Sequence, residues 1–129
     1  MQVRNTTASD VAAIHRLLLT HGWGHRVGEV EELGRLIAAS QRAVVAVADG
    51  EIVGFGRAIT DGVSNGYLSM VVVAGPYRRR GIGQALVERL VGAEPHITWV
   101  LRAGREGAAG FFAKLGFSAS TTAMERPRR

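Results

Sequence analysis

Cysteine is absent from this chain, and that one absence closes several chemistries at once. Without thiols there is no disulfide, no thiolate metal site and no cysteine nucleophile, so any group transfer is direct or uses another nucleophile. Lysine is nearly absent as well: Lys114 is the sole lysine among 16 basic residues. No Gly-x-x-x-x-Gly-Lys-Ser/Thr loop occurs, which excludes a Walker-type nucleotide site. No apolar run approaches the ~20 residues that a membrane-spanning helix requires. The opening Met1-Gln2-Val3-Arg4 lacks the charged-then-apolar pattern of a signal peptide, and the expected compartment is cytoplasmic. Internal repeats, low-complexity stretches and linkers are missing too. Residues 1–129 therefore read as a single domain, long enough to bury one hydrophobic core.

What is present is an ordinary globular balance, 47% apolar and 21% charged, with a formal net charge of +5. The positive charge favours a phosphate-bearing partner without naming one. Arg126, Arg128 and Arg129 cluster at the tail, but no nucleic-acid reading motif or aromatic-interleaved basic strand accompanies them. Neither a nucleic acid nor a membrane is expected as partner.

Periodicity supplies the element order. Gln2–Thr6 suits a short opening strand, and Ser9 or Asp10 can cap a helix carrying Val11, Ile14, Leu17 and Leu18. Thr20–Gly28, with three glycines beside His21, Trp23 and His25, reads as a loop. Val30, Leu33, Leu36 and Ile37 mark a second helix, its first turn rich in Glu29, Glu31 and Glu32 where the helix dipole favours acid. Strands are predicted over Ala43–Ala48 and Ile52–Ile59, joined by the hairpin signal Asp49-Gly50, and over Tyr67–Val73, buried on both faces. A helix from Gly81 to about Gly92, a strand over Ile97–Leu101, a helix over Gly107–Leu115 and a last strand over Phe117–Met124 complete the series. This order predicts an α/β fold: a mixed, mostly antiparallel sheet with about four helices on its faces.

The most informative segment runs from Met70 to Gln84. An apolar strand enters a short turn at Gly75-Pro76, then come Arg78-Arg79-Arg80, then Gly81-Ile82-Gly83 at the opening of a helix. Glycine lets a bulky anion approach the backbone, a helix's first turn offers unpaired N–H donors, and guanidinium groups fork onto phosphate oxygens. Together they make a pyrophosphate cradle. The third glycine of a dinucleotide fingerprint is missing.

Arg78-x-x-Gly81-x-Gly83 after an apolar strand resembles the Gln/Arg-x-x-Gly-x-Gly/Ala motif of the GNAT N-acetyltransferases. Ala108-x-x-Phe111-Phe112-x-Lys114-Leu115-Gly116-Phe117 resembles that family's Ala-x-x-Phe-Tyr-x-Lys-x-Gly-Phe segment. The resemblance implies acetyl-CoA as co-substrate, no metal, and transfer to a primary amine within a ternary complex. It implies that Val71, Val72 and Val73 offer backbone groups to the pantetheine arm, and that Arg78, Arg79, Arg80, Gly81, Ile82, Gly83 and Gln84 surround the pyrophosphate. Phe112 stands at the cofactor-side position where the family usually has tyrosine, whose hydroxyl protonates the departing thiolate in many relatives. Arg105 replaces the family's asparagine.

No residue announces itself as the general base. Asp61, Tyr67, His25 and Glu29 are the candidates, and Thr20–Gly28 with Trp23 is read as one wall of an acceptor pocket. His21 and His25 are four apart, but the glycines between them speak against a helix aligning them on a metal. The missing tyrosine and absent base keep a second reading open, a non-catalytic or regulatory acyl-CoA-binding module. The acceptor, small molecule or peptide, is not named by the sequence. The tail after Phe117 is short, and an uncovered sheet edge there would allow a homodimer.

Overall fold

The computed structural model describes residues 1–129. Five strands form one sheet in the order β1 (Gln2–Asn5), β2 (Arg42–Ala48), β3 (Glu51–Thr60), β4 (Asn65–Val73) and β5 (Thr98–Val100). All neighbouring pairs are antiparallel except β4 and β5, which are parallel. The helices are α1 (Val11–Thr20), α2 (Gly24–Val27), α3 (Val30–Ala38), α4 (Ile82–Val91) and α5 (Ala108–Ala113). No helix is long and apolar enough to cross a membrane.

The β2–β3 hairpin turns on Asp49 and Gly50, both at positive φ (53° and 75°), as the Asp-Gly pair predicts. Each sheet face carries its own core. Ile14, Leu18, Leu33 and Ile37 from α1 and α3 meet Val45, Phe55 and Val72 on one face. Ile82, Leu86 and Leu90 of α4 meet Val44, Val53 and Leu68 on the other. The close approach of α4 depends on Gly54 and Gly56: a Cβ on Gly54 would lie 3.0 Å from Leu86 Cδ1, and one on Gly56 2.8 Å from Leu90 Cδ1.

In β4 the pairing with β3 slips between Phe55 and Arg57, where Met70 adopts φ +58°. One extra residue on β4 makes this a β-bulge, and it switches the strand's phase. Leu68 faces α4, yet Met70 and Val72 face α1 and α3. The strand is accordingly not buried throughout: Tyr67, Ser69, Val71 and Val73 are only half-buried.

Three further expectations are corrected. Thr20–Gly28 is not wholly loop, because Gly24–Val27 makes one helical turn with Val27 buried. The fifth strand shortens to three residues. Phe117–Met124 forms no strand at all. There the Ser120 hydroxyl accepts the N–H groups of Thr122 and Ala123 (3.1 and 2.9 Å), a local turn that competes with strand pairing. Phe117 instead folds back, its N–H donating to the Phe112 carbonyl at 3.1 Å.

Candidate active site

β5 pairs with β4 only at Asn65–Tyr67, and beyond that point β4 has no strand on its far side. Trp99 fixes the divergence point, because its ring lies over Gly66, where any Cβ would overlap it. The notch so opened is a cavity of about 350 Å³, within the usual range for small-ligand sites. Its floor includes Tyr67, Ser69 and Val71 of β4 with Arg57 of β3, and Phe112 of α5 stands on its wall.

At the head of the notch β4 runs into a 3-10 turn, Gly75–Tyr77, and then into the arginine-glycine loop. The Tyr77 hydroxyl donates to Asp49 at 2.8 Å, which ties the turn to the β2–β3 hairpin and raises the phenol's pKa. The three arginines have separate fates. Arg78 Nε donates to the Val73 carbonyl at 3.1 Å, Arg80 stacks on Tyr77 at 5.2 Å, and Arg79, at φ +64°, has no partner. From Arg79 through Gln84 the backbone N–H groups find no acceptor in the protein, while Ala85 resumes helical bonding to the Gly81 carbonyl. Six consecutive unpaired donors at a helix start are an anion cradle. Gly81, at φ +80°, has no atom within 4 Å of where a Cβ would be, so a side chain there would project into open space. Gly83 is required for a different reason, since its Cβ would lie 3.0 Å from the Phe111 ring of α5.

Among the residues expected on the cofactor side, Ile82 and Val72 have buried side chains and can contribute only backbone. Phe112 packs edge-to-face on Phe111 and Phe117 (4.9 and 5.6 Å between centroids), and its ring reaches the cavity without a polar atom.

The base candidates separate. Tyr67 and His25 line the cavity, together with Trp23 and Arg26. Asp61 does not line it: Oδ1 accepts the N–H groups of Val63, Ser64 and Asn65 at 2.8–3.2 Å and Oδ2 the Ser64 hydroxyl at 2.5 Å. Those bonds, the Ser64 hydroxyl first, hold its carboxyl far below the usual range, so Asp61 is a turn former and a poor proton acceptor. Glu29 is exposed at the start of α3 and also lies off the cavity. His21 is occupied by the Leu17 carbonyl, to which its Nδ1 lies at 2.7 Å.

Two contributors had no such role in the sequence reading: Arg105, noted only as a replacement for asparagine, and Arg57, not singled out at all. Arg105 spans the mouth, donating to the carbonyls of His21 and Gly22 and lying 4.7 Å over the Trp23 ring. It clips the α1–α2 connection to the segment after β5. Arg57 is 8% exposed, and its Nε is buried without a partner. Burial pushes its guanidinium pKa down, with Tyr67 opposing in part. A signal existed, because Arg57 lies two residues after the core residue Phe55 and so in phase with the buried face.

A mixed sheet splayed between two parallel strands, with a loop of free amides opening the helix that joins them, is an acyltransferase architecture. A family model described as "Acetyltransferase (GNAT) domain" matches residues 39–119, well over half of the chain. The chain belongs to the GNAT acetyltransferases. Solved structures agree. A GNAT-family protein from Xanthomonas campestris pv. campestris is 27% identical, with 99% of this chain and 94% of that one covered and a TM-score of 0.79. An aminoglycoside acetyltransferase from an uncultured soil metagenomic sample is 26% identical over 99% and 98%, with a TM-score of 0.71. A ribosomal-protein-alanine N-acetyltransferase from Brucella melitensis shares the fold at 18% identity over 98% of each chain, with a TM-score of 0.77. No curated protein matches the sequence significantly.

Proposed function

We propose that this enzyme moves an acetyl group from acetyl-CoA to a primary amine by direct attack within a ternary complex. The observation that carries the reading is the run of unpaired N–H donors at Arg79–Gln84, set at the head of the open edge of β4. The residues fit the co-substrate: the run suits a pyrophosphate, Arg79 adds an uncommitted guanidinium, and the half-buried Val71–Val73 edge suits an extended amide chain. Acetyl-CoA supplies an acyl group already activated as a thioester.

The amine enters from the side of Trp23, His25 and Tyr67. Its nitrogen forms the C–N bond as the C–S bond breaks, one amine proton leaves to a base, and the thiolate takes a proton. With no cysteine in the chain, attack without a thiol-bound enzyme intermediate is the simplest course. A backbone N–H of Val71–Val73, on the edge of β4 that β5 leaves uncovered beyond Tyr67, polarises the carbonyl oxygen as charge grows there. His25 presents the only imidazole on the cavity wall and accepts the amine's proton, directly or through water. Phe112 offers no hydroxyl where relatives carry tyrosine, and water delivers that last proton; a thiol of pKa ~8.5 is a fair leaving group without help.

A thermal-shift titration with acetyl-CoA, repeated on Gly81→Trp, tests the placement. At a hundred times the dissociation constant the wild type gains about 2.7 kcal/mol, and folded Gly81→Trp gains almost nothing. Equal shifts in the two proteins would move the pyrophosphate elsewhere. No shift in either at millimolar acetyl-CoA would remove the reading.

A further inference from the structure

The cavity wall facing the acceptor is unusual in its charge. Arg26, Arg57, Arg102, Arg105 and Arg128 all line it, and no aspartate or glutamate does. Two of these are occupied: Arg102 pairs with Glu125 at 2.7 Å, and Arg105 holds the carbonyls of His21 and Gly22. Arg57 differs from the rest. It sits on the floor, more than nine-tenths buried, with no carboxylate within ion-pairing distance and only the Ser40 hydroxyl as hydrogen-bond partner, 3.3 Å from Nη1. A buried cation without a counter-ion is costly and is retained where something anionic completes it. Its pairing with Ser69, and its place two residues from Phe55, set it toward the same space as Tyr67.

We propose that the acceptor is an amine that also carries a carboxylate, and that Arg57 seats that carboxylate in the notch beside Tyr67 and Ser69. This rests on the reading that the amine enters this cavity. A guanidinium fork matches a carboxylate's two oxygens, and a single negative charge balances the single buried positive one. The same cationic lining disfavours the acceptor's ammonium form and so favours the free amine that attacks. It also repels polycations. An aminoglycoside, the acceptor class of one structural neighbour, would bring several ammonium groups against like charge.

The test is CoA release by the wild type with matched pairs, glycine against glycinamide and phenylalanine against phenylalaninamide, alongside spermidine, kanamycin and aminoethyl phosphate. The acids are expected to exceed their amides by about 100-fold in kcat/KM, although the amides hold more free amine at neutral pH. Arg57→Gln, checked for folding by its melting curve, should shrink that preference to below about tenfold through the KM of the acid. If this variant does not fold, the acid-to-amide ratio of the wild type decides alone. Equal rates for acid and amide, or preference for spermidine, kanamycin or the phosphate, overturn the proposal and leave acetyl transfer standing. Turnover of none of these amines also overturns it. Only loss of the acetyl-CoA thermal shift would take the underlying reading with it.

Discussion

Asp10 is buried where β1 meets α1, and its two oxygens accept from Arg4 at 2.8 and 3.1 Å while the Thr7 N–H donates at 2.7 Å. The Arg4 bond is the largest cause that lowers its pKa to about 2. A depressed folded-state pKa gives stability that is present above the unfolded value, near ~3.9, and lost as pH falls through the folded one. Asp10→Asn should therefore cost about 1–2 kcal/mol at pH 7, and its melting temperature should converge with that of the wild type as pH drops toward 2. Phe112 invites the opposite kind of change. Phe112→Tyr adds a hydroxyl to the α5 side of the cavity, and a rise in kcat of about tenfold is expected, larger at pH 6 than at pH 9. A His25→Ala enzyme should lose about 100-fold in kcat, with the loss partly restored by added imidazole. Single residues were unevenly legible in the sequence. The glycines of the loop stood out because their role is local. Arg57 did not, because a charged residue within a strand reads as solvent-facing until its register with Phe55 is applied.

At the level of elements, the Trp99 ring over Gly66 is a close contact at the point where β4 and β5 part. Gly66→Ala forces the ring away and should unpair β5, costing about 1–3 kcal/mol and shifting tryptophan fluorescence to the red. The acetyl-CoA thermal shift should shrink with it, whereas Val63→Ala at the exposed β3–β4 turn should change neither. The long elements β2, β3, β4, α1, α3 and α4 were legible because their apolar spacing repeats over nearly two turns or more of helix, or several residues of strand. The short ones were not. A three-residue β5 is defined by its pairing with Asn65–Tyr67, α2 by burying Val27, and the tail by its own Ser120 turn. None of those causes lies in local periodicity. The bulge at Met70 was equally hidden, because nothing in an unbroken apolar run marks where the phase changes.

Across the whole molecule, charge is skewed to +5 and concentrated at the loop and notch that are proposed to meet anionic ligands. Steering by that field should make kcat/KM for acetyl-CoA fall several-fold between about 20 and 200 mM salt, with kcat nearly constant. The same lining has a further consequence in the chemistry of wear. On the proposed reading, the cavity repeatedly holds an electrophile that acylates any free amine within reach. A wall built from lysine would consume itself, each acetylation erasing a charge and blunting the next cycle. Guanidinium stays protonated and does not compete as a nucleophile, so this wall can present positive charge to the reagent without becoming its victim. The sole lysine, Lys114, does not line the cavity.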